Sequence, residues 1–67
     1  MDVDEMIYED LFHIEFVKEN LKRFAISDQE KQKKLDEQTK GMLDKYRDIQ
    51  GIESNKNYIN LIKQMKI

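Results

Sequence analysis

The chain has 67 residues, with 12 Lys+Arg against 14 Asp+Glu, one His, two Gly and no Cys, Pro or Trp. Without cysteine there is no disulfide framework, thiolate metal site or Cys nucleophile, and so little Gly and Pro argues against a turn-rich sandwich or barrel. The length fits a single domain over residues 1–67, and a chain this small buries only about 60% of its unfolded surface, which leaves a thin margin of stability.

Apolar residues recur at three- and four-residue spacing, which predicts an all-α fold of three helices. The first covers about residues 2–25. Val3, Ile7, Ile14, Val17, Leu21 and Phe24 fall on one stripe, with Leu11 at its edge, and Tyr8, Phe12 and Phe16 form a second row on another side. At about 100° per residue the two rows occupy more than half the circumference, so this helix needs cover on two sides. Its acidic first turn (Asp2, Asp4, Glu5) and basic end (Lys22, Arg23) both suit the helix dipole. Ser27-Asp28-Gln29-Glu30 then has the spacing of a capping box, which predicts a tight turn at residues 25–27.

The second helix is predicted over about residues 28–50. Leu35 is the sole aliphatic residue between Ser27 and Gly41, whereas Met42, Leu43, Tyr46 and Ile49 enrich the second half. Gly41 inside this helix costs about 1 kcal/mol relative to alanine, and Gly51 stands where a left-handed cap would end it. The third helix, about residues 55–65, starts at Ser54 or Asn55 and carries Tyr58, Leu61, Ile62 and Met65 on one face.

Matched helix lengths and a short turn predict an antiparallel hairpin with the third helix folded back over its apolar-rich end. The expected core there is Ile7, Leu11, Phe12, Ile14, Met42, Leu43, Tyr46, Ile49, Tyr58, Ile62 and Met65, with the acidic start of the chain near Lys45, Arg47 and Lys63. At the opposite end Val17, Leu21 and Phe24 meet only Leu35. Such a patch predicts a partner surface, and a second copy about a two-fold axis, forming a homodimeric helical bundle, is the simplest partner. Residues 7, 14, 21, 28, 35, 42 and 49 also keep a seven-residue spacing that a single long coiled-coil helix would show. Asp10, Lys31, Gln38 and Lys45 occupy its companion seam, which favours the hairpin.

Little in the sequence points to chemistry. His13 has a possible neighbour in Glu9 one turn away but no second histidine to share a metal, so it reads as a surface or interface side chain. The acids at positions 2, 4, 5, 9, 10 and 15 read as a solvated face, with docking of a basic partner as the alternative. No phosphate loop, nucleophile elbow or cofactor fingerprint is present, so no enzyme, cofactor or metal is expected. The acidic start of the chain is unlike a signal or transit peptide. Apolar runs are too short to span a bilayer, and with no cysteine a cytoplasmic location is expected.

The length and helix pairing resemble those of the dimeric RNA-binding hairpin proteins that control plasmid copy number, a likeness of architecture without a shared motif. The function expected from the residues is that of a small non-enzymatic interaction module, an adaptor, inhibitor or regulatory subunit. It would bind protein through Val17, Leu21, Phe24 and Leu35 or through Tyr8, Phe12 and Phe16. The alternative is a nucleic-acid-binding hairpin using Lys31, Lys33, Lys34 and Lys40, a basic stretch diluted by Asp28, Glu30, Asp36 and Glu37.

Overall fold

In the computed structural model, which describes residues 2–67, the Asp2 carboxylate accepts the Asp4 amide at 3.2 Å and opens helix α1, Val3–Leu21. The Arg23 and Phe24 amides bond back only three residues, to the Asn20 and Leu21 carbonyls. This tightening ends α1 short of residue 25. The Ser27 hydroxyl accepts the Glu30 amide at 3.2 Å, the hydroxyl half of the expected capping box, and starts α2, Asp28–Gln38.

α2 stops well before residue 50, and the reason is local. The Thr39 amide and hydroxyl both donate to the Leu35 carbonyl, at 3.0 and 2.9 Å, and close the last turn. Gly41 follows at φ +79°, a left-handed conformation that costs an ordinary L-residue about 1–2 kcal/mol and is open to glycine. The chain continues as a 3₁₀ turn, Met42–Tyr46, reaches a second left-handed glycine, Gly51 at φ +78°, and makes another 3₁₀ turn, Ile52–Ser54. The Asn55 side chain then accepts the amides of Asn57 and Tyr58, at 2.8 and 3.0 Å, and opens α3, Lys56–Gln64. The fold is all-α, with no strand among the described residues.

Side-chain bonds define how the helices lie in a body of 40 × 17 × 17 Å. α2 lies beside the second half of α1, where His13 Nε2 sits 3.4 Å from the Gln38 carbonyl oxygen. α3 begins beside the start of α1: the Asn55 and Asn57 side-chain amides donate to Asp4 Oδ1 at 3.2 and 3.1 Å. It ends beside Lys18, whose Nζ donates to Gln64 Oε1 at 3.5 Å. α3 therefore runs parallel to α1 and covers part of both halves. Gln32 of α2 ties down the far end, donating to the Met65 carbonyl at 2.9 Å and accepting the Ile67 amide at 2.8 Å.

The core is Ile7, Ile14, Val17 and Leu21 of α1 with Leu35, Tyr46, Ile52 and Leu61, and Leu11, Met42, Leu43, Ile49, Tyr58 and Met65 pack around it. Two expected core residues lie outside. Phe12 is exposed because it projects from the far side of α1, and Ile62 is exposed because Leu61 takes the inward position of α3, about 100° away around the helix.

One buried acid stands in this apolar stripe. Asp10 lies between Ile7 and Ile14 in the buried row. Lys45 Nζ reaches its two oxygens at 2.9 and 2.7 Å, and the Tyr46 hydroxyl donates to it at 2.5 Å. The Tyr46 ring also meets that of Tyr58, with centroids 5.6 Å apart and planes tilted by 59°. Arg47, expected near the acidic start of the chain, instead pairs with Asp44 at 3.1 Å.

Burial, and then the hydrogen bond to Asp10, push the Tyr46 phenol well above its ordinary value of 10.0. The unfolded chain would therefore release this proton first as pH rises. The stabilisation from neutral Tyr46 is present in full below about pH 10 and drains away above it. Tyr46→Phe should cost about 1.5–3 kcal/mol at neutral pH, through loss of a hydrogen bond to a charged acceptor. It should also flatten the alkaline fall in stability, which urea unfolding at pH 8 to 11 checks; parallel curves for the two proteins would refute the coupling. A Cβ on Gly51 would meet nothing within 4 Å, so Gly51→Ala should lose about 1–2 kcal/mol through the backbone alone, and Gly51→Asn less. Equal urea midpoints for wild type and Gly51→Ala would contradict a left-handed turn there.

Candidate functional site

The first candidate patch is largely inside the molecule. Val17, Leu21 and Leu35 keep only 7, 5 and 0% of their surface exposed, so they are unavailable to a partner. The expectation failed because it left the cover of this end to α2 alone. α3, parallel to α1, brings Leu61 and Met65 to the same core and supplies the apolar surface that α2 lacks. Phe24 differs from its three companions. It follows the end of α1 and remains 53% exposed.

The second candidate face is open. Tyr8, Phe12 and Phe16 are 50, 71 and 66% exposed. Successive members are four residues apart, so each step advances about 6 Å along the axis and turns about 40° around it. The row therefore lies roughly opposite the buried stripe of Ile7, Ile14, Val17 and Leu21. At one end the Tyr8 hydroxyl accepts from the Asn57 side-chain amide at 3.4 Å. At the other, Phe16 lines a groove of about 360 Å³ between α1 and α2, together with His13, Asn20, Phe24 and Lys34. Phe24 thus joins the aromatic row through this groove. A shallower hollow of about 330 Å³ lies between Tyr8, Leu11, Phe12 and Glu15.

Along α1 the charges bordering this row are acidic, while the groove at its Phe16 end holds Lys34 together with Glu37. Glu15 and Glu9 lie on its two flanks by helical geometry, and Glu5 and Glu19 stand at its ends, all four exposed. Lys22 pairs with Glu19 at 3.0 Å, and Lys18 is turned away toward Gln64. Among the described residues no ion pair is formed to Glu5, Glu9 or Glu15. Asp10, read from the sequence as one more solvated acid, is the buried partner of Lys45 and Tyr46. Its position in the three- and four-residue spacing of Ile7 and Ile14 was the signal for that.

The basic stretch does not converge. Lys31 lines a groove with Lys18, Lys22 and Ile67, whereas Lys34 lines the groove on the Phe24 side. Lys33 is exposed on α2 and lines neither, and Lys40 lies beyond the end of that helix. His13 sits at the rim of the Phe16 groove, and no group of three or more His or acidic side chains among the described residues could hold a metal. No described helix is long and apolar enough to cross a membrane. No family model, curated protein or solved structure matches this chain.

Core and surface aromatic positions should respond in opposite ways to the same charge. Leu21→Asp places a carboxylate in the apolar interior and should unfold a domain with only about 3–5 kcal/mol in hand. Phe12→Asp should change stability by about 0.5 kcal/mol at most, as for other surface positions. Circular-dichroism melts compare them directly, and a folded Leu21→Asp protein would mean that the core is misassigned.

Proposed function

We propose that the chain is a non-enzymatic interaction module that binds another protein through the face formed by Tyr8, Phe12, Phe16 and Phe24. The observation that supports this reading most is the exposure of the Tyr8, Phe12 and Phe16 rings on a helix whose opposite side is already sealed. Leaving such side chains in water forgoes about 1.5–3 kcal/mol each relative to burial. A small domain with little stability to spare gains nothing from them as a monomer. A docked partner recovers that energy, and aromatic side chains are the usual anchors of protein interfaces.

A second copy is not required for the core, since Val17, Leu21 and Leu35 are covered within one chain. Contact with nucleic acid draws less support, because Lys31 and Lys34 line separate grooves where a binding site needs a continuous basic footprint.

Affinity capture from lysate of the source cells, with wild-type protein and Phe12→Asp/Phe16→Asp as paired baits, tests the reading. The wild type should retain a protein that the double variant loses while both baits remain folded. Identical retained proteins would remove the aromatic face as the docking surface. Sedimentation equilibrium on the same pair reports whether the retained protein is a further copy of the chain.

A further inference from the structure

We infer that the partner element seated on α1 is a basic amphipathic helix, one whose apolar stripe is bordered by Lys or Arg. This deepens the interaction reading above and depends on it. The aromatic row runs along α1, turning about 40° at each step, and opens at Phe16 into the groove beside Phe24. A second helix laid along it would meet Tyr8, Phe12 and Phe16 with side chains spaced three and four residues apart. The groove at Phe16 would take a larger anchor side chain at one end.

Charge selects the occupant. Along α1 the face is bordered by Glu5, Glu9, Glu15 and Glu19, of which only Glu19 is paired, by Lys22, and the groove at the Phe16 end holds Lys34 alongside Glu37. A second copy joined face to face by a two-fold axis would set this acidic border against itself, and like charges across an interface are strongly disfavoured. Nucleic acid and an anionic membrane surface carry the same sign and are repelled likewise. A helix with cationic flanks meets an apolar row with its stripe and three unanswered carboxylates with its borders. The same field would speed the encounter at low salt.

The experiment is a fluorescence-anisotropy titration with two labelled synthetic helices of about five turns. They share one leucine stripe and carry lysine in one case and glutamate in the other at the flanking positions. The lysine helix should bind saturably and at least about tenfold more tightly than the glutamate helix, and more weakly as salt is raised. Glu9→Lys/Glu15→Lys should abolish or invert that preference. Phe12→Ala/Phe16→Ala should lose about tenfold or more of the affinity for the lysine helix.

Equal affinity of the wild type for the two helices, with loss in Phe12→Ala/Phe16→Ala, would overturn the charge assignment and leave the interaction reading standing. Undiminished binding of the lysine helix by Phe12→Ala/Phe16→Ala would mean general attraction to an acidic protein and would overturn the inference. Absence of saturable binding to the lysine helix would overturn it as well, whatever the paired capture returns.

Discussion

Everything in this molecule is arranged around covering one side of α1. Ile7, Ile14, Val17 and Leu21 form a stripe along most of its length, and α2 brings only Leu35 to it as a buried residue. The shortfall is met by breaking the second helical stretch. Gly41 and Gly51, both left-handed, bracket a segment that carries Tyr46 to the core, and Ile52 follows directly after it. The chain then re-enters beside Asp4 and returns alongside α1 as α3. A longer α2 would have carried these side chains along a single axis. Two breaks let three separate pieces of chain each cover a part of the stripe.

The Asp10 cluster shows how polar groups are accommodated in so small a core. A carboxylate between Ile7 and Ile14 would be costly if left without partners. Here it receives the Lys45 ammonium and the Tyr46 hydroxyl, and no buried side-chain N or O among the described residues lacks a hydrogen bond. Because Asp10 is one specific position on α1, these bonds also specify where the irregular segment docks. Regular secondary structure provides no register there, since the 3₁₀ turns are short and the ladder of helical bonds is interrupted. Side-chain bonds at Asp4, Lys18 and Gln32 act in the same way for α3 and the end of the chain.

With the stripe sealed, the remaining aromatic surface has a different standing. Tyr8, Phe12 and Phe16 cannot rotate inward without displacing Ile7, Ile14 or Val17, because a helix presents each residue at a set angle. Their exposure is a property of the whole helix and is not a local rearrangement. Their acidic border is a property of the same helix, with Glu5, Glu9, Glu15 and Glu19 placed by the same geometry. The aromatic row and its acidic border therefore stand on one helix.

Periodicity within α1 was legible in the residue order, as were its two distinct faces, the N-cap at Ser27, a cap at Ser54 or Asn55 that the structure places on Asn55, and the left-handed use of Gly51. These are local properties: they depend on spacing around one helix, on one capping side chain or on one residue's backbone freedom. The end of α2 was not legible, because Met42, Leu43, Tyr46 and Ile49 keep helical spacing beyond Gly41 and only their tertiary contacts make them something else. The burial of Val17, Leu21 and Leu35 was hidden for the same reason, since it depends on α3 lying parallel to α1 and reaching Lys18. The amino-acid order alone determined which side chains share a face; the three-dimensional packing decided which of α1's two apolar faces is sealed, because covering a face depends on where distant segments dock.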